Sequence, residues 1–140
     1  MSTDILLVED SPTDAAILVA AFEGIGYIGD IQVASNGIEA INVLGEIGNN
    51  QENWPQMIIL DLNLPRKNGL EVLENIKSNP EWLSIPTIVL SSSSSSKDIS
   101  NSYKRHANAY ISKPRQLEQY EKVAKQLHSF WLEAAELPTE

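Results

Sequence analysis

Short apolar runs recur along the chain, and stretches of mixed polar and apolar residues separate them. The clearest run is 57–60, four apolar residues that turn residues follow as far as Asn68-Gly69. A run of this length between turn residues is typical of a strand buried on both faces of a parallel sheet. Runs of the same kind predict five strands, at residues 4–8, 31–33, 57–60, 87–90 and 109–112.

The segments between these runs have the spacing of helices. The first has apolar residues at 15, 18, 19 and 22, which is the spacing of one helix face, and Ser11-Pro12 before it is a typical helix start. The same reasoning predicts helices around 38–44, 70–76, 99–106 and 117–131. Strand and helix thus alternate five times. This order predicts an α/β fold with a doubly wound, five-stranded parallel sheet and helices on both of its faces.

Length and composition narrow the class of protein. The chain has 140 residues, so we expect a single domain, 1–140, with a core at about 4–134 and a C-terminal tail at 135–140. A net charge of −9 argues against nucleic acid and against anionic membrane surfaces as partners. The chain has no cysteine, no apolar run near the roughly 20 residues of a membrane helix, and no secretory signal, so we expect a cytoplasmic protein.

Six consecutive serines, 91–96, follow the fourth predicted strand. Such a run is often a flexible linker, but strand and helix patterns flank this one closely, so we interpret it as a mobile loop inside the domain. Ser91 is the candidate for chemistry among the six, because it directly follows Leu90 at the end of the strand.

Several predicted strands end on a residue that can do chemistry. Glu9-Asp10 follows the first strand, Asp61 the third, Ser91 the fourth and Lys113 the fifth. Ligands of open α/β sheets bind at the carboxyl ends of the strands, so these side chains are expected to meet there. Three carboxylates without histidine or cysteine favour Mg²⁺. With the lysine and the serine beside them they suit a phosphoryl group, and Asp61 can be the nucleophile that accepts it.

Three segments and the single residues Gly69 and Ser91 carry a family resemblance. The segments are 5–10, which reads ILLVED, 61–65, which reads DLNLP, and 110–114, which reads YISKP, with 22 residues from Ser91 to Lys113. In this order they resemble the response-regulator receiver domain, the CheY-like family of two-component signalling, across nearly the whole chain. The resemblance implies a flavodoxin-like (βα)5 receiver fold. Within the family, DLNLP and the ending 130–138 resemble single-domain regulators of phytochrome-type histidine kinases.

The resemblance also implies a role for each site residue. Asp61 would accept phosphate from a kinase phosphohistidine. Asp10 and Asp61 would bind Mg²⁺ directly, Glu9 would act through a water molecule, and Asn63 would supply its backbone carbonyl. Lys113 would contact the phosphoryl group.

Two further residues would form the switch. Ser91 would turn toward the phosphate on activation, and Tyr110 would follow it inward. The bond from Lys113 to Pro114 would be cis. The sequence departs from the family at Ser91, where threonine is commoner, and at Ser93, which is poorly suited to orient an attacking water.

Three functions remain open at this point. The first is a phosphorylated switch without an output domain, whose partner is a sensor histidine kinase. The second is a small magnesium-dependent aspartyl-phosphate hydrolase, although Asn63 stands where a second catalytic acid is expected. The third is a receiver used only as a scaffold. For the switch we expect a homodimer through the last strand and last helix, motivated by the large side chains of Tyr120, Leu127, Phe130 and Trp131.

Overall fold

The computed structural model describes residues 4–48 and 53–138, and within them the predicted α/β architecture is confirmed. One parallel sheet has the strand order β2-β1-β3-β4-β5. Its strands are β1 Ile5–Val8, β2 Ile31–Ala34, β3 Met57–Leu60, β4 Thr87–Ser91 and β5 Ala109–Ser112, and the helices are α1 Pro12–Gly24, α2 Gly37–Ile47, α3 Gly69–Ser78, α4 Ser96–Lys104 and α5 Glu118–Leu127.

The sheet separates two hydrophobic layers. Leu6 and Val8 of β1 point into one layer, with the apolar faces of α2 and α3. Ile5 and Leu7 point into the other, with α1 and α5. Because all four residues of β1 and of β3 are buried, polar groups have room only at the strand ends. The sheet therefore leaves room for a functional site only at the ends of its strands.

The serine run does not form one loop. Ser91 is the last residue of β4 and is fully buried, while Ser95 accepts a hydrogen bond from Asp98 N at 3.1 Å as the N-cap of α4, which begins at Ser96. Only residues 92–94 lie between the strand and this cap. The prediction of a single serine loop over 91–96 is therefore wrong at both ends, because a small hydroxyl also fits a buried strand end and a helix cap.

The last helix ends in an unusual way. A π-helix, His128–Ala134, continues α5, and Phe130 in it is 55% exposed. Tyr120 and Leu127, by contrast, are buried against α1 and the sheet. Two of the four side chains that suggested a large outer surface thus belong to the core, because they lie on the same helix face as the buried Ala124.

The predicted chain boundaries remain predictions. Residues 139 and 140 of the predicted tail lie outside the described part of the chain, as do residues 1–3 and 49–52. Across residues 4–48 and 53–138, no helix is long and apolar enough to cross a membrane.

Candidate functional site

The topology brings the predicted site residues to one end of the sheet, where the strands have their carboxyl ends. β1, β3, β4 and β5 are consecutive neighbours, and their registers pair Val8 with Leu60 and Ser91 with Ser112. The residues that follow these strands therefore lie together at the carboxyl ends of the strands. Glu9, Asp61 and Lys113 lie there, as the sequence predicted.

Three carboxylates form the acidic part of the site. One oxygen each of Glu9, Asp10 and Asp61 lies within 4.8 Å of the other two. Glu9 and Asp61 are each only 5% exposed, whereas Asp10 is open to solvent. All-oxygen donors of this charge suit a hard divalent cation, and the open side at Asp10 leaves room for water ligands. The donor set thus fits the predicted metal.

Lys113 balances part of this charge. Its Nζ donates to Glu9 Oε1 at 2.7 Å, to Asp14 Oδ2 at 2.8 Å and to Asp61 Oδ2 at 2.9 Å. Burial lowers the pKa of Lys113, but the hydrogen bonds that it donates to Asp14, Glu9 and Asp61 outweigh this effect and raise the pKa above its ordinary value. All three N–H donors of the ammonium are used, so Lys113 holds a fixed position as a permanent cation.

Glu9 is a carboxyl group of this cluster with a raised pKa. Burial raises the pKa of Glu9 to about 7; the bond from Lys113 opposes this rise, and the negative charge of Asp61 adds to it. Glu9 Oε2 also accepts a hydrogen bond from Ser11 N at 3.2 Å, which fixes the carboxyl group. Glu9 is thus held in place at the acidic site by Lys113 on one oxygen and Ser11 N on the other.

The backbone around Asp61 is tightly packed. Asp61 Oδ1 accepts from Asn63 N at 3.3 Å, and Gly69 N donates to Leu62 O at 3.0 Å. A Cβ atom on Gly69 would collide with the backbone of Asp61 and Leu62, so glycine is required where α3 begins. The turn after β3 thus presents Asp61 rigidly. The role predicted for the Asn63 carbonyl stays a prediction.

Ser91 and Tyr110 are linked through Ser93. Ser91 Oγ accepts from Ser93 N at 3.3 Å, and Tyr110 Oη donates to Ser93 O at 2.7 Å. The side chain of Ser93 donates to Asp98 on α4. Tyr110 N donates to Tyr103 Oη at 3.0 Å, so Tyr110 is attached at both its backbone and its hydroxyl group. The two predicted switch residues thus share one hydrogen-bonded network.

One implication of the resemblance is wrong. The peptide bonds of the described residues are all trans, including the bond from Lys113 to Pro114. Trans is the more stable isomer of a proline bond, and Lys113 reaches its three carboxylates in this form.

Asp14 is a site residue that the sequence reasoning missed. In the sequence it belongs to a helix start, and Asp14 N indeed donates to Ser11 Oγ at 3.1 Å. Its carboxylate instead turns to Lys113, 99 residues further along the chain. A usable signal was present, because the first turn of a helix that directly follows a strand lies at the same sheet edge as the strand end.

Comparison with known proteins agrees with this geometry. Residues 5–125 match the family model described as the response regulator receiver domain. The chain is 38% identical over 135 residues to response regulator Rcp1 of Synechocystis sp. (strain ATCC 27184 / PCC 6803 / Kazusa), covering 96% of this chain and 92% of Rcp1.

Two solved structures are closely similar. The phosphorylated cyanobacterial phytochrome response regulator RcpA superimposes with a TM-score of 0.88 at 38% identity, over 99% of this chain and 100% of that one. The Mn²⁺-bound form of response regulator Rcp1 gives a TM-score of 0.85 at 38% identity, over 96% of this chain and 98% of that one.

Proposed function

The chain belongs to the response regulator receiver domain family and is a two-component response regulator, and from this premise we propose that Asp61 accepts the phosphoryl group. The observation that supports Asp61 most directly is its place between the cation of Lys113, at 2.9 Å, and the carboxylates of Glu9 and Asp10. A nucleophile needs this setting because the incoming phosphoryl group brings negative charge that must be neutralised.

In the proposed reaction, a carboxylate oxygen of Asp61 attacks the phosphorus of a kinase phosphohistidine. The new O–P bond forms as the N–P bond breaks, and the electron pair returns to the imidazole nitrogen, which takes up a proton. Lys113 offers its ammonium to the oxygens of the transferred group as that group replaces one of its present partners. Positioning and charge neutralisation thus carry the step.

A divalent cation fits the same edge of the sheet, and we propose Mg²⁺. Asp10 and Asp61 would hold it directly, the Asn63 carbonyl would complete the protein ligands, and Glu9 would act through a water molecule. When bound, the cation supplies positive charge to the oxygens of the phosphoryl group. The relative Rcp1 has been solved in an Mn²⁺-bound form, and Mn²⁺ and Mg²⁺ share a preference for oxygen ligands.

Ser91 and Tyr110 would carry the switch. Ser91 is fully buried and adjoins the site through Lys113 N, which donates to Ser91 O at 2.8 Å. A hydroxyl that turns toward phosphate gives up its bond with Ser93 N, and Ser93 O is the acceptor for Tyr110 Oη. Any shift at Ser91 therefore reaches Tyr110 through one residue, and α4 through Asp98.

The partner that delivers the phosphoryl group is a histidine kinase, and we propose a phytochrome-type kinase. The support comes from the similar structures, among them the phytochrome response regulator RcpA and the bacteriophytochrome response regulator AtBRR, which is 34% identical over 99% of both chains. We also propose that the protein is cytoplasmic and that its output is contact with other proteins. Cell fractionation tests the first of these proposals.

A hydrolase is the less favoured function. Asn63 stands two residues after Asp61, so a second catalytic acid is missing at this position. The hydroxyl of Ser93 is engaged with Asp98, which leaves it unavailable to orient a water molecule. These features favour a phosphorylated state that persists over rapid turnover.

Mass spectrometry of the intact protein tests the phospho-acceptor. The wild-type protein, incubated with acetyl phosphate and Mg²⁺, is expected to gain one phosphate, and Asp61→Asn none. Asp30→Asn is the matched control, because Asp30 is exposed and lies beyond the other end of the sheet, before β2. A phosphate on Asp61→Asn would refute the assignment. Multiple turnovers would support the hydrolase, and an unreactive wild type would support the scaffold.

A second copy of the chain is the partner we propose for the outer surface of β5 and α5. Leu117 is 66% exposed before α5, Phe130 is 55% exposed after it, and Tyr103 on the neighbouring α4 is 48% exposed. A symmetric contact would cover the same side chains on both subunits. A stable dimer of this kind buries on the order of 1,200 to 2,000 Å² in total.

Sedimentation at several concentrations, with and without beryllofluoride, tests the dimer. Phe130→Glu is expected to weaken association, whereas Ile28→Glu should not, since Ile28 is 98% exposed but lies between α1 and β2. We propose that beryllofluoride strengthens the contact through Tyr110. A monomer in every condition would refute the dimer, and equal loss in both variants would place the interface elsewhere.

A further inference from the structure

Lys113 has a third carboxylate partner that lies outside the metal cluster. Asp14 Oδ2 is 2.8 Å from Lys113 Nζ, yet the cluster of mutually close oxygens contains only Glu9, Asp10 and Asp61. Lys113 therefore divides its bonds between two partners inside the cluster and one partner outside it. The outside partner has no role in the proposed phosphoryl transfer.

The position of Asp14 is built into the start of α1. Ser11 caps the helix by accepting from Asp14 N at 3.1 Å, and Pro12 occupies the first helical turn. The Asp14 side chain is 35% exposed, whereas that of Lys113 is 9% exposed. The carboxylate is thus held at the rim of the site, where it can pair with the ammonium without entering the cluster.

A divalent cation and the ammonium compete for the same oxygens. Glu9 and Asp61 each accept a bond from Lys113, and both belong to the cluster that would hold the cation. When a cation binds these carboxylates, Lys113 loses part of its electrostatic stabilisation, because a buried charge needs a partner. Asp14 supplies a partner that the cation does not draw upon.

We propose that Asp14 is a positioning residue that keeps Lys113 paired while a divalent cation binds, and so raises the affinity of the site for that cation. The inference rests on the proposed function, because it takes Glu9, Asp10 and Asp61 as the metal site. Asp14 acts through Lys113 and contacts neither the cation nor the phosphoryl group.

The alternative explanation is a simple field effect. Removing any negative charge near a cation site weakens binding, whichever residue carries it. The two explanations differ in their dependence on Lys113. A field effect persists when the lysine is removed, whereas an effect that runs through the lysine disappears with it.

Calorimetric titration with Mg²⁺ on a double-mutant cycle separates them. Asp14→Asn is expected to weaken Mg²⁺ binding by about tenfold when Lys113 is present, in line with residues that orient a metal site from outside it. In the Lys113→Met background the same substitution should cost about twofold or less, the size of a screened charge effect. Glu23→Gln, which removes a charge from the exposed end of the same helix, is the matched control and should leave affinity unchanged.

Two further measurements distinguish a specific loss of cation affinity from misfolding of the Asp14→Asn variant. Asp14→Glu should restore most of the affinity, because a longer carboxylate at the half-open rim still reaches Lys113. At saturating Mg²⁺ the rate of phosphorylation by acetyl phosphate should return to within about threefold of wild type in Asp14→Asn, since the defect lies in cation binding.

The possible outcomes are decisive in each direction. Equal losses in both backgrounds, or no loss with Lys113 present, would overturn the role of Asp14 while leaving the proposed function intact. A wild-type protein that binds no Mg²⁺ would overturn both. Failure of Asp14→Glu to restore affinity would reduce Asp14 to a structural residue of the helix start.

Discussion

Two lysines at opposite ends of the sheet each donate three hydrogen bonds, but to different kinds of oxygen. Lys113, after β5, is bonded to the carboxylates of Glu9, Asp14 and Asp61. Lys77, at the end of α3, donates to the carbonyls of Leu83 and Ile85 at 2.9 Å and to the amide oxygen of Asn108 at 3.1 Å. The number of donated bonds is the same at the two ends, and the charge of the acceptors differs.

This difference in acceptors explains why Lys113 can be functional while Lys77 is structural. Burial lowers the pKa of both, and in Lys77 it brings the pKa to about 8. In Lys113 the carboxylates more than reverse this effect, so the ammonium persists at any physiological pH. Lys77 ties the connection between α3 and β4 to the start of β5, a structural role, whereas Lys113 supplies charge to a site.

The largest expected contrast is in phosphorylation. Lys113→Met should slow phosphorylation of Asp61 by roughly a hundredfold or more, because a preorganised cation is lost. Lys77→Met, assayed where it is folded, should remain within about twofold of wild type. Intact-mass time courses with acetyl phosphate measure both rates. A wild-type phosphorylation rate in Lys113→Met would contradict the functional role of Lys113.

A second contrast is in the stability of the metal-free protein. Lys113→Met should lower the free energy of unfolding by about 3 to 5 kcal/mol, because buried carboxylates lose their partner. Lys77→Met should cost about 1 to 3 kcal/mol, since its neutral acceptors are left unpaired. Asp61→Asn should instead stabilise the protein, because repulsion among the carboxylates falls. Urea denaturation in chelator at pH 7 ranks the three variants.

The pH dependence of the free energy of unfolding tests the raised pKa of Glu9. The folded pKa of about 7 exceeds the ordinary value of 4.5, so the folded protein binds more protons than the unfolded chain between these values. Stability of the metal-free protein should therefore fall by about 3 kcal/mol as pH rises through this window. Glu9→Gln should remove that decline. An unchanged pH profile in Glu9→Gln would show that another group titrates.

The smallest effect tests whether acceptor charge alone makes the difference. Asn108→Asp gives Lys77 one carboxylate and keeps an oxygen for Thr87 N, which donates to Asn108 Oδ1 at 2.8 Å. In the wild type, the lowered pKa of Lys77 should make stability rise from pH 8 to pH 10.5, where the unfolded chain binds more protons.

Asn108→Asp should abolish this rise and add about 1 kcal/mol at pH 7, the size of a partly exposed ion pair. Denaturation at a series of pH values measures both changes. A rise that persists in the variant would mean that burial, and not the acceptor charge, controls Lys77.

The fold followed from the sequence because a parallel sheet needs continuous apolar strands, and these are visible as runs such as 57–60. The main site residues followed from the strands that precede them. Asp14 did not, because the helix start alone accounts for an acidic residue at this position, although the first turn of α1 lies at the same end of the sheet as Asp61. Its bond to Lys113, 99 residues further along the chain, is seen only in the folded structure.

Other differences between the sequence predictions and the structure also have physical causes. Tyr120 and Leu127 stand at the spacing of one helix face, and that spacing marks the buried side of a helix, not an outer surface. The serine run has the composition of a single loop, although its members occupy a strand end, a turn and a cap. Lys113 to Pro114 was expected to be cis from resemblance alone, and local sequence does not determine that isomer.

The hydroxyl of Tyr103 has a consequence for how the protein behaves in a crowded solution. β5 is the outermost strand on its side of the sheet, and such a strand can template pairing with foreign chains and start aggregation. Tyr103 Oη accepts the N–H of Tyr110, so one of the backbone donors on this strand is already occupied. An intruding strand would have to displace a side chain before it could pair in register. The protein can thus present an open, partly apolar surface to its partners and still resist growth of its sheet.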